Sequence, residues 1–144
     1  MSIPRRSPLK RSPFKRSKPM KRRHKDTGPD FWVRLKVRDR FGGRCCRCGL
    51  DGASIQHRQP RGSGGTSSPV ANSPVNLLWV CGSGTTGCHG HMERFRTDAE
   101  MKGWLVRHGK AHPADVPVRL WDGRKVLLTQ DGGFVPAAGA KVGL

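Results

Sequence analysis

The chain has 144 residues and a formal net charge of +18 at neutral pH, from 28 Lys and Arg against 10 Asp and Glu. That length supports one domain, and 34% hydrophobic content with 19 glycines and no tyrosine leaves little apolar material for a large core. The charge points to a polyanionic partner, nucleic acid first, and no stretch nears the roughly 18 apolar residues of a membrane span.

Residues 1–29 read as a tail. It repeats a five-residue theme, Ser7-Pro8-Leu9-Lys10-Arg11 and then Ser12-Pro13-Phe14-Lys15-Arg16, and holds 11 Lys and Arg against the single acid Asp26. Prolines block regular structure and like charges repel, so the tail is expected to be disordered alone and to lie along DNA phosphates when DNA is present. Lys10, Arg11, Lys15, Arg16, Lys21, Arg22 and Arg23 are the expected contacts, with binding that weakens steeply in salt. A nuclear-localisation signal fits the same composition. No apolar segment follows this basic start, so a secretory signal is not expected. The chain is then expected in a reducing compartment, the cytoplasm, where paired cysteines read as metal ligands before disulfides.

From Asp30 the composition changes. Asp30 is placed to cap a helix running to Phe41, with Val33, Val37 and Phe41 on one face and Arg34, Lys36, Arg38 and Arg40 as a basic one. Gly42-Gly43 ends it. A short strand is expected over Ile55–His57, a flexible loop over Gly62–Pro74, and an extended run over Val75–Cys81. A helix should follow over His89–Phe95. Thr97-Asp98-Ala99-Glu100 spells a capping box for a further helix that places Met101, Trp104, Leu105 and His108 on one face and stops at Gly109. Val116–Leu120 and Arg124–Thr129 flank Trp121-Asp122-Gly123 as a hairpin, with Pro117 confining the first strand to an edge.

Between these elements lie the residues with chemistry. Cys45-x2-Cys48 and Cys81-x6-Cys88 are paired thiols, and four thiolates close a tetrahedral structural zinc site with no open position. Gly82, Gly84 and Gly87 allow the wider second pair to fold back. Cys46 could replace Cys45, but its spacing to Cys48 is one residue short. Between and beside the pairs stand Gln56-His57-Arg58, Asn76, and His89 directly after the last cysteine.

That order, with the wording Gln56-His57-Arg58-Gln59-Pro60-Arg61-Gly62 and Cys81-Gly82-Ser83-Gly84-Thr85-Thr86-Gly87-Cys88-His89-Gly90, resembles the HNH endonuclease family in its zinc-stapled form. It is closest to the small HNH nucleases of tailed bacteriophages, over roughly residues 30–135. The resemblance implies an α+β fold: a small ββα-metal (HNH) core with a structural four-cysteine zinc site, flanking helices, the C-terminal β-hairpin and the disordered basic N-terminal tail. Residues 1–29 would be the DNA-binding tail, 30–135 the endonuclease domain and 136–144 a flexible terminus.

The resemblance makes His57 the general base, Asn76 the residue that ties down the loop and orients it, and His89 a ligand of a catalytic Mg²⁺ or Mn²⁺. Glu93 falls one turn after His89 on the same helix face and could supply a second ligand. Family members usually carry Asp or His before the base, as a metal ligand; here Gln56 offers a neutral oxygen, a weaker partner for a hard cation. Asn72 lacks the Leu-Leu-x-x-Cys run that follows Asn76, and His91 lies off the His89 face. Arg58 and Arg61 are close enough to the base to steady phosphate oxygens. The function implied is metal-dependent hydrolysis of DNA phosphodiester bonds, by nicking or double-strand cleavage, in a phage's host cytoplasm alongside terminase subunits in DNA packaging. The alternative is a non-catalytic zinc-containing DNA-binding or packaging adaptor.

Overall fold

The computed structural model describes residues 27–62 and 65–138. The tail contacts expected of Lys10, Arg11, Lys15, Arg16, Lys21, Arg22 and Arg23 lie outside the described residues, as do residues 139–144 of the expected flexible terminus. The described part is a small mixed α/β fold with three short helices and two small antiparallel sheets.

Asp30 is extended and its carboxylate accepts the Val33 N–H at 2.9 Å, which caps α1 (Phe31–Asp39). Gly42 and Gly43 take positive φ and end it as expected. Val37 and Phe41 enter the core. Arg40 does not belong to the basic face. Its guanidinium donates to the carbonyls of Pro74, Leu77 and Gly132, lashing α1 to the entry of the next sheet.

The first sheet pairs β1 (Ser54–His57) with β2 (Leu77–Val80) antiparallel, Ser54 opposite Val80 and His57 opposite Leu77. A 3-10 turn at Pro74–Asn76 leads into β2. α2 (Gly87–Arg94) follows and packs on β1. Leu78, Val80 and Met92 seal the space between them.

The next stretch departs from expectation. α3 spans only Arg96–Met101, its N-cap position is Phe95, and no side chain caps it. Thr97 lies inside the first turn, so the capping box does not form. Met101 is 76% exposed. Trp104 and Leu105 are buried from beyond the helix, because Gly103 turns the chain at φ 72° and not Gly109. The Trp104 indole N–H then donates to Arg119 O at 2.8 Å. The expected hairpin exists as β3 (Val118–Arg119) and β4 (Lys125–Leu128), but a third strand, β5 (Phe134–Pro136), extends it. β3 keeps the edge position that Pro117 requires.

Gly103 is where this second sheet meets α3. A Cβ there would lie 1.8 Å from Pro117 O, and the backbone is left-handed. Gly103→Ala is therefore expected to lower stability by about 2–4 kcal/mol, the sum of αL strain and overpacking. A urea midpoint unchanged from wild type would show that the contact yields freely.

Candidate active site and metal centre

The two cysteine pairs are built by tight turns. Cys45 N–H bonds Leu50 O at 2.6 Å, Gly49 N–H bonds Cys45 O at 2.9 Å, and Arg44 bridges Asp51 across the turn. The second pair closes because Gly82 and Gly87 sit against each other's backbone; a Cβ on Gly82 would meet Thr86 O at 2.2 Å. All four Sγ atoms of Cys45, Cys48, Cys81 and Cys88 lie within 4.8 Å of one another, and those of Cys48 and Cys81 are 3.8 Å apart. Ligands on a tetrahedron with Zn–S of about 2.3 Å would be separated by about 3.8 Å. The cluster can hold a metal ion and is compatible with structural zinc.

Two donors steady the thiolates. Cys88 N–H points to Cys81 Sγ at 3.4 Å, and Arg47 donates to Cys88 Sγ at 3.3 Å. Cys46 stays out of the set. Burial, with the neighbouring Cys45 and Cys88 sulfurs, pushes its thiol well above the ordinary range, so it remains a neutral core group.

His57 ends β1, half-buried. Its Nε2 meets Asn72 Oδ1 at 3.1 Å, and Asn72 Nδ2 donates to Thr27 O at 2.9 Å. Since Asn72 gives its N–H to that carbonyl, its oxygen faces the ring and accepts from Nε2–H. The lone pair of neutral His57 is then on Nδ1. Burial holds His57 below its ordinary value, reinforced by the charges of Arg61, His89 and Arg34 and opposed by the Asn72 contact. The ring is neutral at pH 7.

Asn76 is fully buried and braces the backbone beside the base. Its Oδ1 accepts Gln59 N–H at 2.7 Å, and its Nδ2 donates to Gln59 O and Ala71 O at 3.2 and 3.0 Å. It thus ties β1's exit to the loop before β2. Asn72, which the sequence pattern ranked below Asn76, is the residue that touches the imidazole. Its loop position carries no periodic signal.

On the other face of β1, Ser54 and Gln56 point to α2. Ser54 Oγ donates to Gly82 O at 2.8 Å and lies 2.8 Å from His89 Nδ1, so it accepts from Nδ1–H and leaves Nε2 with a free lone pair. Burial lowers the His89 pKa and the Glu93 charge opposes the shift. Ser54 was not among the residues expected at the site, although its place two residues before Gln56 puts both on one strand face.

Gln56 is 1% exposed and its Nε2 donates to Glu93 Oε1 at 2.8 Å and to His57 O at 3.1 Å. Two acceptors on that side fix the amide's orientation. Its Oε1 is buried and has no hydrogen-bond partner among the described residues. A stranded acceptor costs about 1–3 kcal/mol. His89 and Glu93, one turn apart on α2, and Gln56 Oε1 are the donors on this side of β1 that could hold a divalent ion, although the amide turns its N–H and not its oxygen to Glu93.

One expected DNA contact is corrected. Arg58 is fully buried and donates to Gly103 O, Val75 O, Pro113 O and Val116 O, at 2.8, 3.0, 2.6 and 2.7 Å. With its N–H groups taken by four carbonyls it has no face left for phosphate. Arg61 does reach the surface beside His57, held by Thr27 O and, at 3.2 Å, Thr27 Oγ1. His91 lies against Phe95 and 3.8 Å from Asp98, away from the other histidines' partners. No described helix is long and apolar enough to cross a membrane. No family model matches the chain, and no curated protein or solved structure is significantly similar to it.

Proposed function

We propose that the protein is a metal-dependent DNA endonuclease of the HNH type, hydrolysing phosphodiester bonds beside a structural zinc site. One observation carries the reading. Two antiparallel strands and a helix, joined through the four-cysteine cluster, carry His57 at the end of β1 with Nε2 held by Asn72 and Nδ1 free, and His89 on the helix packed against that strand. A Mg²⁺ or Mn²⁺ ion held by His89 and Glu93, with Gln56 Oε1 as a third donor, would supply Lewis-acid polarisation of the phosphate. His57 Nδ1 takes the proton of the attacking water, and Asn72 holds the ring through Nε2 so that Nδ1 keeps the lone pair. Asn76 keeps the backbone under His57 from shifting. Arg61 lends positive charge to the phosphate. The resemblance to phage HNH nucleases adds products with 5′-phosphate and 3′-hydroxyl ends, and a place beside terminase in DNA packaging.

The rival is a non-catalytic zinc-containing DNA-binding or packaging adaptor. It draws on the fact that Glu93 already accepts from Gln56 and from Arg96 at 2.8 and 3.2 Å. Supercoiled plasmid incubated with the protein and Mg²⁺ or Mn²⁺ at fixed salt separates the two. His57→Ala should nick about 10²–10⁴-fold more slowly than wild type, the usual contribution of a general base, while keeping its zinc and its DNA affinity. Equal nicking by both proteins would remove His57 from the mechanism. Binding without cleavage, with or without terminase, would leave the adaptor.

A further inference from the structure

α1 begins with two aromatic rings that the core does not use. Phe31 is 65% and Trp32 71% exposed, and they meet edge to face with centroids 5.4 Å apart. In a chain with so few large apolar residues, two adjacent rings left in water call for a partner. Their place says which. The segment just before α1 is tied to the base: Thr27 O accepts from Asn72 Nδ2 and from Arg61, and Asn72 in turn holds His57. The step from Thr27 to Phe31 is about four residues, a span of at most ~14 Å. The rings therefore stand within that span of Thr27, which Asn72 links to His57.

Apart from the Asp30 carboxylate that caps the helix, the charges near them are cations. Arg34 and Arg61 both contribute to the field at His57, and each bonds a backbone carbonyl. Neither Arg34, Arg38 nor Arg61 forms an ion pair among the described residues. Exposed aromatic rings on a basic surface are the elements that bind single-stranded nucleic acid, phosphate on the cation and base on the ring. In an intact duplex the base faces are already stacked and cannot use such a surface.

We infer that Phe31 and Trp32 form a platform on which an unpaired nucleobase stacks beside the phosphate presented to His57, so that the substrate is DNA with a single-stranded segment at the cut. The inference rests on the endonuclease reading for its link to cleavage, but the stacking itself is read by binding alone. The experiment uses the full chain carrying His57→Ala, at fixed salt, with a fluorescent single-stranded oligonucleotide of about 20 bases, enough to cover one such site, and the matching duplex. The ratio of the two affinities is the readout, since basic contacts outside the platform enter both.

Trp32→Leu is expected to weaken single-strand binding roughly tenfold and duplex binding less than about twofold, with Trp32→Phe recovering most of the loss. Leu keeps an apolar side chain and lacks the flat face. Equal losses on both DNAs would overturn the platform in favour of a wedge into duplex. No loss on either would overturn it outright. A dimer in sedimentation that Trp32→Leu converts to monomer would assign the rings to a second copy. Cleavage of a flapped oligonucleotide by the chain with His57 intact is scored separately. If that fails while the Trp32 effect holds, the nuclease reading falls and the platform stands.

Discussion

Stripping the metal from Cys45, Cys48, Cys81 and Cys88 is expected to unfold the chain, with loss of cooperative denaturation and not merely a lower midpoint. The four sulfurs come from the turn after α1, the end of β2 and the first turn of α2, so one ion would cross-link three elements of a small core. Structural zinc binding is worth about 10–16 kcal/mol in small metal-stapled folds, against a total stability of about 5–15 kcal/mol for an ordinary domain. With a core this small the metal term is the larger. Cys48 gives the sharpest test because it is exposed. An exposed thiol with only a structural role would tolerate Ser within about 0.5 kcal/mol, whereas a ligand would not. Cys48→Ser should purify without stoichiometric zinc and without a cooperative urea transition, under reducing conditions that keep the remaining cysteines as thiols. Cys46→Ser, buried but outside the cluster, should keep its zinc. A Cys48→Ser protein with the wild-type midpoint would mean that the cluster carries no metal of consequence.

How much of this is legible in the sequence depends on whether a residue's role is local. The four cysteines are, because ligand spacing is itself the signal, and the glycines between Cys81 and Cys88 show how the wider gap can close. The cap at Asp30 is legible for the same reason. Thr97–Glu100 matches a capping box and still misleads. Packing of Ala99 and the bond from Ala99 N–H to Phe95 O start the helix earlier, so Thr97 never occupies the cap. β5 is hidden by Gly132-Gly133 before it and Pro136 at its end, both signs of a turn. Asn72 and Asn76 are distinguished only in space: one meets the ring, the other the backbone. Arginine poses the hardest case. Arg40, Arg58 and Arg61 look alike in a chain of such charge, yet two of them are internal struts and only Arg61 of the three reaches the surface near His57.

Arg58→Ala is expected to cost about 3–5 kcal/mol, nearer to a core truncation than to the loss of a surface charge. The guanidinium fastens the end of β1 to Gly103, to Val75 in the turn before β2, and to Pro113 and Val116 on the way into β3. No carboxylate among the described residues offsets it. Burial, with the nearby Arg40 charge, lowers its pKa to about 9, which still leaves it protonated at pH 7. Removing it strands up to four carbonyls at about 1–3 kcal/mol for each that water does not reach. Lysine is no substitute. Its ammonium carries three donors on a point charge and cannot span four acceptors in the plane of a guanidinium, so Arg58→Lys should recover only part of the loss. Urea denaturation of zinc-loaded proteins reads the stability, and DNA affinity is measured well below each midpoint. A strut predicts a lower midpoint with unchanged affinity in the folded protein. A phosphate contact predicts the reverse, with a shallower salt dependence of binding. Because Arg58 follows His57 directly, the strut also fixes the strand end that carries the base, so cleavage should fail at the temperature where the β1–β2 sheet loosens and not before.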